Sequence, residues 1–196
     1  MIIGITGSSG AGKSTVCELL SKKYNMQIIN ADEVAKELSK KGTDYIKDIV
    51  SKFGKDIVDE NGDLRRKKLG EIIYTNDSKR EELNSCTFKY IKKEIFKKIE
   101  KMNQDNIVID APLLFESELD KICDRIIGVI SKKQLQIERI VSRDNIDYDH
   151  ATMRLDAQQK DEFYIKKCDA IIENNHDIKQ LEQQIEELAC KLRIVK

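Results

Sequence analysis

The sequence predicts an α/β fold, a five-stranded parallel sheet with helices on both faces. Three observations lead there. Short apolar runs alternate with segments of helical periodicity, the pattern of strand–helix–strand units. Runs such as Ile107-Val108-Ile109 are apolar throughout, as strands covered on both faces are. A glycine-rich stretch stands between the first apolar run and the first helical segment, where such a sheet opens a crevice for a ligand.

The first strand is read at Ile2–Thr6, and the helix after it opens at Ser14 with apolar Val16, Leu19 and Leu20. A second strand is read at Gln27–Asn30. The long segment from about 31 to 106 reads as helical and lysine-rich, with turn signals at Gly54 and Asn61-Gly62. Within it, Asn76-Asp77-Ser78 offers a cap for a helix from Lys79 to about Lys101. Leu83, Tyr90, Ile91, Ile95 and Ile99 are its core-facing candidates. Strands return at Ile107–Asp110, Arg125–Ile130 and Ala170–Glu173. Between the last two, Gln134–Arg143 followed by Asn145-Ile146-Asp147 reads as helix, break, helix. The final helix starts near Asp177 and spaces Leu181, Ile185, Leu188 and Leu192 by three and four. With no repeat and no low-complexity linker, residues 1–196 are expected to form one domain. It carries a helical insertion at about 31–106 and a helical lid at about 134–158.

The 196 residues are 36% charged and 40% hydrophobic, and 35 Lys+Arg balance 35 Asp+Glu. Zero net charge speaks against a broad nucleic-acid footprint. The apolar stretches are too short to span a bilayer, and an N-terminus that begins on a strand reads as lacking a signal peptide. Five scattered cysteines without a C-x-x-C pair read as free thiols. The expectation is a cytoplasmic protein without nucleic-acid or membrane partners, its oligomeric state left open.

Gly7-Ser8-Ser9-Gly10-Ala11-Gly12-Lys13-Ser14 fits G-x-x-x-x-G-K-[ST] at every fixed position. This is the phosphate-binding loop, and it lies between strand and helix as the mechanism needs. Glycines let the backbone curl so that N–H groups converge on an anion, and the helix N-terminus adds its dipole. Lys13 is placed to reach the terminal phosphates and the Ser14 hydroxyl to ligate Mg²⁺. The fold class sharpens to a three-layer P-loop NTPase fold.

Phosphoryl transfer to a hydroxyl also needs a carboxylate and charge neutralisation. Asp32, just past the second strand, and Asp110, ending the third, are expected on the same sheet rim as the loop. Asp32 fits a base or orienter for the acceptor, and equally a cap for a helix from Glu33 to Ser39. Asp110 after three apolar residues resembles a segment that supports Mg²⁺ through water. Arg139 and Arg143 share a helix face, with Arg154 beyond; they suit either a lid closing on phosphates or a solvated charged face.

Together these residues resemble the dephospho-coenzyme A kinase family. Ile5 to Val16 is similar to its opening segment, and Asp110-Ala111-Pro112-Leu113-Leu114-Phe115-Glu116 to its D-x-P-L-L-F-E. Asn30-Ala31-Asp32 resembles its D-A-D. Phe53-Gly54, Ile57, Gly62 and Leu69-Gly70 are similar to its acceptor region. Gln136, Arg139, Arg143 and Arg154 through Gln158 resemble its lid, and Cys168 to Asn174 its last strand. The likeness runs from residue 2 to about 188.

The resemblance implies ATP-dependent phosphorylation of the ribose 3′-hydroxyl of dephospho-coenzyme A, giving coenzyme A and ADP. It makes Asp32 the base or orienter. Ser9, Gly10, Ala11, Gly12, Lys13, Ser14 and Thr15 would hold ATP, with Arg139 and Asn174, the latter near the adenine. Arg139 and Arg143 would stabilise the moving phosphoryl. Arg66, Asp110 and Leu113 would join Asp32 on the acceptor side, with Mg²⁺ on Ser14. Three positions depart from the family pattern: Arg65-Arg66 stands for Asp-Arg, Phe88-Lys89 for His-Pro, and Asn30 for the first aspartate. Another small-molecule kinase of this fold, a nucleotide-gated switch and a degenerate kinase are the rival readings. The Asp110–Glu116 segment speaks against the first. The absence of lysine from Asn174-Asn175-His176-Asp177 speaks against a guanine-specific switch, and intact Lys13, Ser14, Asp32 and Asp110 against a degenerate kinase.

Overall fold

A computed structural model describes residues 1–74, 76–102 and 106–193. In chain order, β1 (Ile2–Thr6) leads through the glycine-rich loop into α1 (Lys13–Tyr24) and β2 (Gln27–Asn30). There follow α2 (Ala31–Leu38), α3 (Asp44–Phe53), α4 (Arg66–Tyr74) and α5 (Asp77–Lys101). Then come β3 (Ile107–Asp110), β4 (Arg125–Ile130), α6 (Lys133–Asp144), α7 (Tyr148–Asp156), α8 (Asp161–Lys167), β5 (Ala170–Glu173) and α9 (Ile178–Lys191). Strand order is β2-β3-β1-β4-β5. All five strand expectations hold to the residue.

The chain forms two compact units, Met1–Ile29 with Asn103–Lys196, and Asn30–Met102. In the first, β1 pairs in parallel with β3 and β4, and β4 with β5. Alternation along the strands sorts their side chains to two faces. Ile3, Ile5, Ile127 and Val129 pack with Val16, Cys17 and Leu20 of α1 and with Leu181, Ile185 and Leu188 of α9. On the other face Gly128 lets α8 approach: a Cβ there would meet Cys168 Sγ at 3.0 Å and Tyr164 Cβ at 3.3 Å. Helix, sheet, helix is therefore the three-layer arrangement that burying both sheet faces demands. The α6–α7 hairpin has its own small core of Ile137, Ile140, Ala151 and Leu155.

The second unit packs α3, α4 and α5 around Tyr45, Ile46, Ile49, Ile57, Leu69 and Cys86. Two of its helices, α3 and α5, begin on side-chain caps. Thr43 Oγ1 accepts from Ile46 N for α3, and Asn76 Oδ1 from Lys79 N for α5. Ile91 and Ile95 are buried as expected, while Ile99 is half-buried. No described helix is long and apolar enough to cross a membrane.

Candidate active site

The loop is built from β1 outward. Register sets Ile5 opposite Asp110, and Ala111 N donates to Ile5 O at 3.0 Å, so β3 ends beside the start of the loop. Gly10 and Gly12 take φ of +75° and +99°, the left-handed region where side chains are strained. Space forbids a side chain as well: a Cβ on Gly12 would lie 2.0 Å from Asn174 Nδ2, and one on Gly10 2.5 Å from Gln136 O. Gly12 also has no side chain to cap α1, so its first-turn amides are left open to an anion from outside the chain. Lys13 curls back, its Nζ donating to Gly7 O at 2.9 Å and Ser8 O at 3.1 Å.

The loop's carbonyls and apex are gripped by residues from the far end of the chain. Arg139 Nη1 donates to Gly10 O at 3.0 Å and to Ser131 Oγ at 3.2 Å; its Nη2 donates to Asn174 O at 3.0 Å. Asn174, buried after β5, donates from Nδ2 to Ala11 O at 2.9 Å. Buried Gln136 donates to Ser8 Oγ at 2.6 Å, and Gln158 Oε1 accepts from Ser9 N at 2.7 Å. Arg143 Nη2 donates to Ser9 Oγ at 3.1 Å. Arg139 and Arg143 therefore both reach the loop from one face of α6, Arg139 half-buried and Arg143 still exposed. Arg154 instead pairs with Asp144 at 2.6 Å.

Asp110 is 4% exposed. The buried Cys17 thiol in α1 is pushed up first by desolvation and then by the Asp110 charge, against Lys13. Both charges thus act on one sulfur behind the loop. Ser14 presents an exposed hydroxyl in the first turn of α1. Hydroxyl and carboxylate are oxygen donors of the kind Mg²⁺ takes. Among the described residues no group of three or more His, Cys, Asp or Glu stands ready to cage an ion. A Mg²⁺ here would complete its shell with phosphate and water oxygens, as it does in nucleotide sites. Thr15 is exposed beside Ser14, and Leu113 is 52% exposed in the segment after β3.

Asp32 and Arg66 belong to the second unit, where both line a cavity of about 520 Å³. Its walls mix charge, from Asp32, Lys36 and Arg66, with apolar surface such as Leu64 and Ile73. Tyr45 O–H lies 3.0 Å from Thr87 Oγ1 at this cavity, and burial raises the Tyr45 phenol above its ordinary range. Asp32 is not the cap of α2. Asn30 is, its Oδ1 accepting from Glu33 N at 3.0 Å, which leaves the Asp32 carboxylate exposed in the first turn. Sequence reasoning missed Ser131, whose position at the C-terminal end of a strand was the available signal, and Asp144.

A family model described as dephospho-CoA kinase matches residues 1–180. The chain belongs to the dephospho-CoA kinase family. A dephospho-CoA kinase of Fusobacterium nucleatum is 40% identical over 95% of this chain and 95% of its own, and one of Listeria innocua 37% identical over 93% and 92%. A solved dephospho-CoA kinase from Campylobacter jejuni is 28% identical with a TM-score of 0.66, over 97% of this chain and 96% of that one. A shikimate kinase from Bacteroides thetaiotaomicron shares the fold at 15% identity and TM-score 0.58, over 98% of both chains. As a dephospho-CoA kinase family member the chain is a kinase of coenzyme A biosynthesis.

Proposed function

We propose that the protein transfers the γ-phosphoryl of ATP to the ribose 3′-hydroxyl of dephospho-coenzyme A, giving coenzyme A and ADP, in the cytoplasm. The observation that carries the acceptor half is the cavity of the second unit. It joins an uncapped carboxylate, Asp32, to two cations and an apolar wall. That chemistry suits a molecule that is part nucleotide, part phosphate and part apolar-stemmed chain.

In this reading the residues 1–196 act as one kinase domain, the helical insertion supplying acceptor contacts. Ser9 to Thr15 hold the phosphates through backbone amides and Lys13. Ser14, with Asp110 behind it, would hold a Mg²⁺ arriving with ATP, and that ion would supply charge neutralisation at the phosphates. Asp32 accepts or orients the 3′-hydroxyl proton. The bond from that oxygen to the γ-phosphorus forms as the bond from phosphorus to the β,γ-bridging oxygen breaks, and the proton leaves to solvent. Arg139 and Arg143 stabilise the charge on the moving group. Arg66 and Leu113 contact the acceptor, and Asn174 holds the loop beneath the nucleotide.

Incubating the protein with Mg·ATP and dephospho-coenzyme A tests this. The expected result is stoichiometric ADP and a product whose phosphorus NMR shows a new 3′-monoester. ADP only at the rate of an acceptor-free control, with turnover on a nucleoside or shikimate, sinks the reading.

A further inference from the structure

Asp144, the last residue of α6, is the hub of the lid's charges. Its Oδ1 accepts from Arg143 Nε at 2.7 Å and its Oδ2 from Arg143 Nη2 at 2.9 Å, a side-on bidentate pair. The same Oδ2 accepts from Arg154 Nη1 at 2.6 Å, which brings in α7 from beyond the Asn145 break. The carboxylate is 24% exposed, against 56% and 51% for the two arginine side chains. Arg143 Nη2 meanwhile reaches Ser9 Oγ at the apex of the phosphate loop. One guanidinium therefore touches Asp144 and the loop at once.

A carboxylate at this place works against the binding of a polyphosphate, because like charges repel. Neutralising phosphate calls for the arginines alone. A gain elsewhere has to explain the aspartate, and the geometry supplies one. An arginine on a surface helix samples many rotamers, and holding it on a transferring phosphoryl costs conformational entropy. A bidentate carboxylate fixes the plane and direction of the fork before any nucleotide arrives. Donors already in place stabilise a transition state more than donors that must first be gathered.

We propose that Asp144 is a positioning residue for phosphoryl transfer, holding Arg143 over the phosphate loop and tying Arg154 to the same carboxylate. This rests on the reading of Arg143 as a phosphoryl-stabilising arginine. The hydrogen bond from Arg143, followed by the Arg143 and Arg154 charges, keeps the Asp144 carboxyl below the ordinary carboxylate range. It is therefore ionised throughout the pH range in which such an enzyme is assayed.

Steady-state kinetics of Asp144→Asn at saturating acceptor give the test. The amide keeps size and one acceptor but loses the charge and the fork. The expected result is a kcat about 10-fold lower or more, the scale of a lost charge-assisted hydrogen bond. KM for Mg·ATP is expected unchanged or lower, since a negative charge has left an anion site. A structural role alone would instead raise KM and lower the melting temperature with kcat. The double variant Arg143→Gln/Asp144→Asn should be little slower than Arg143→Gln alone, because both changes break one unit. Full additivity overturns the proposal, as does wild-type kcat in Asp144→Asn. Arg143→Gln separates the two claims. If it is slow while Asp144→Asn is not, only the role of Asp144 falls; if Arg143→Gln keeps wild-type kcat, the lid reading falls too. Should Asp144→Asn not fold, Asp144→Glu serves: its extra methylene displaces the fork, so kcat drops several-fold at unchanged KM. Wild-type kcat in Asp144→Glu overturns the proposal.

Discussion

Asp32→Asn keeps the shape of the side chain and removes its basicity. It should leave KM for Mg·ATP unchanged and lower kcat by about 10²–10⁴-fold, the scale of a lost general base. Because Asn30 already caps α2, the loss cannot be put down to helix fraying; an unchanged kcat in steady-state assays would remove Asp32 from the chemistry. Asn174→Ala tests the grip on the loop. The bond from Asn174 Nδ2 to Ala11 O is worth about 1 kcal/mol, so KM for Mg·ATP should rise several-fold, read by titrating ATP at fixed acceptor. The loop itself was legible in the sequence because its chemistry is local: eight consecutive residues make the turn, the anion site and the lysine. Ser131 was not. Its hydroxyl serves Asn174 O and Arg139 Nη1, groups brought to it only by the folding of β4 against β5 and of α6 over the loop. Asp144 stood next to Arg143 in the sequence, but its second partner, Arg154, is ten residues on and across a helix break.

The helices and strands were more legible than the contacts. Each strand is a run that both sheet faces must bury, and the caps Asn76 and Asp177 are residues whose side chains reach the first-turn amides. The α6–α7 hairpin carries a pH dependence that follows from paired carboxylates at the ends of its helices. The His150 backbone N–H, then its ring, lowers the Asp147 carboxyl; Lys133 lowers Asp156; Arg143 lowers Asp144. A depressed carboxyl stabilises the folded hairpin above its unfolded value of about 3.9 and ceases to as pH falls through the folded one. Asp147 and Asp156 are exposed, so each contribution is small and salt-sensitive. Residues 133–156 should therefore stay protected from amide exchange between pH 7 and 5 and lose protection below about pH 4. Equal protection at pH 3 and pH 6, after correction for intrinsic exchange rates, would contradict this.

At the scale of the molecule, the five free cysteines report on packing. Burial pushes Cys123 and Cys168 up to about 12 and Cys86 to about 11, and holds Cys17 well above its usual range. Since the thiolate is the nucleophile, these four should resist iodoacetamide at pH 8 while exposed Cys190 is alkylated, with all five labelled after denaturation. Mass spectrometry showing rapid labelling of Cys17 in the native protein would contradict the packing of α1. The order β2-β3-β1-β4-β5 has a last consequence, for synthesis. β1 leaves the ribosome before both of the strands it lies between, which begin at Ile107 and Arg125. Its parallel partners do not exist until Ile107 and the residues after it have been translated, whereas Tyr45, Ile49, Leu69 and Cys86 can find one another earlier. The glycine-rich loop after β1, made well before either partner strand, acquires its shape only once both have emerged.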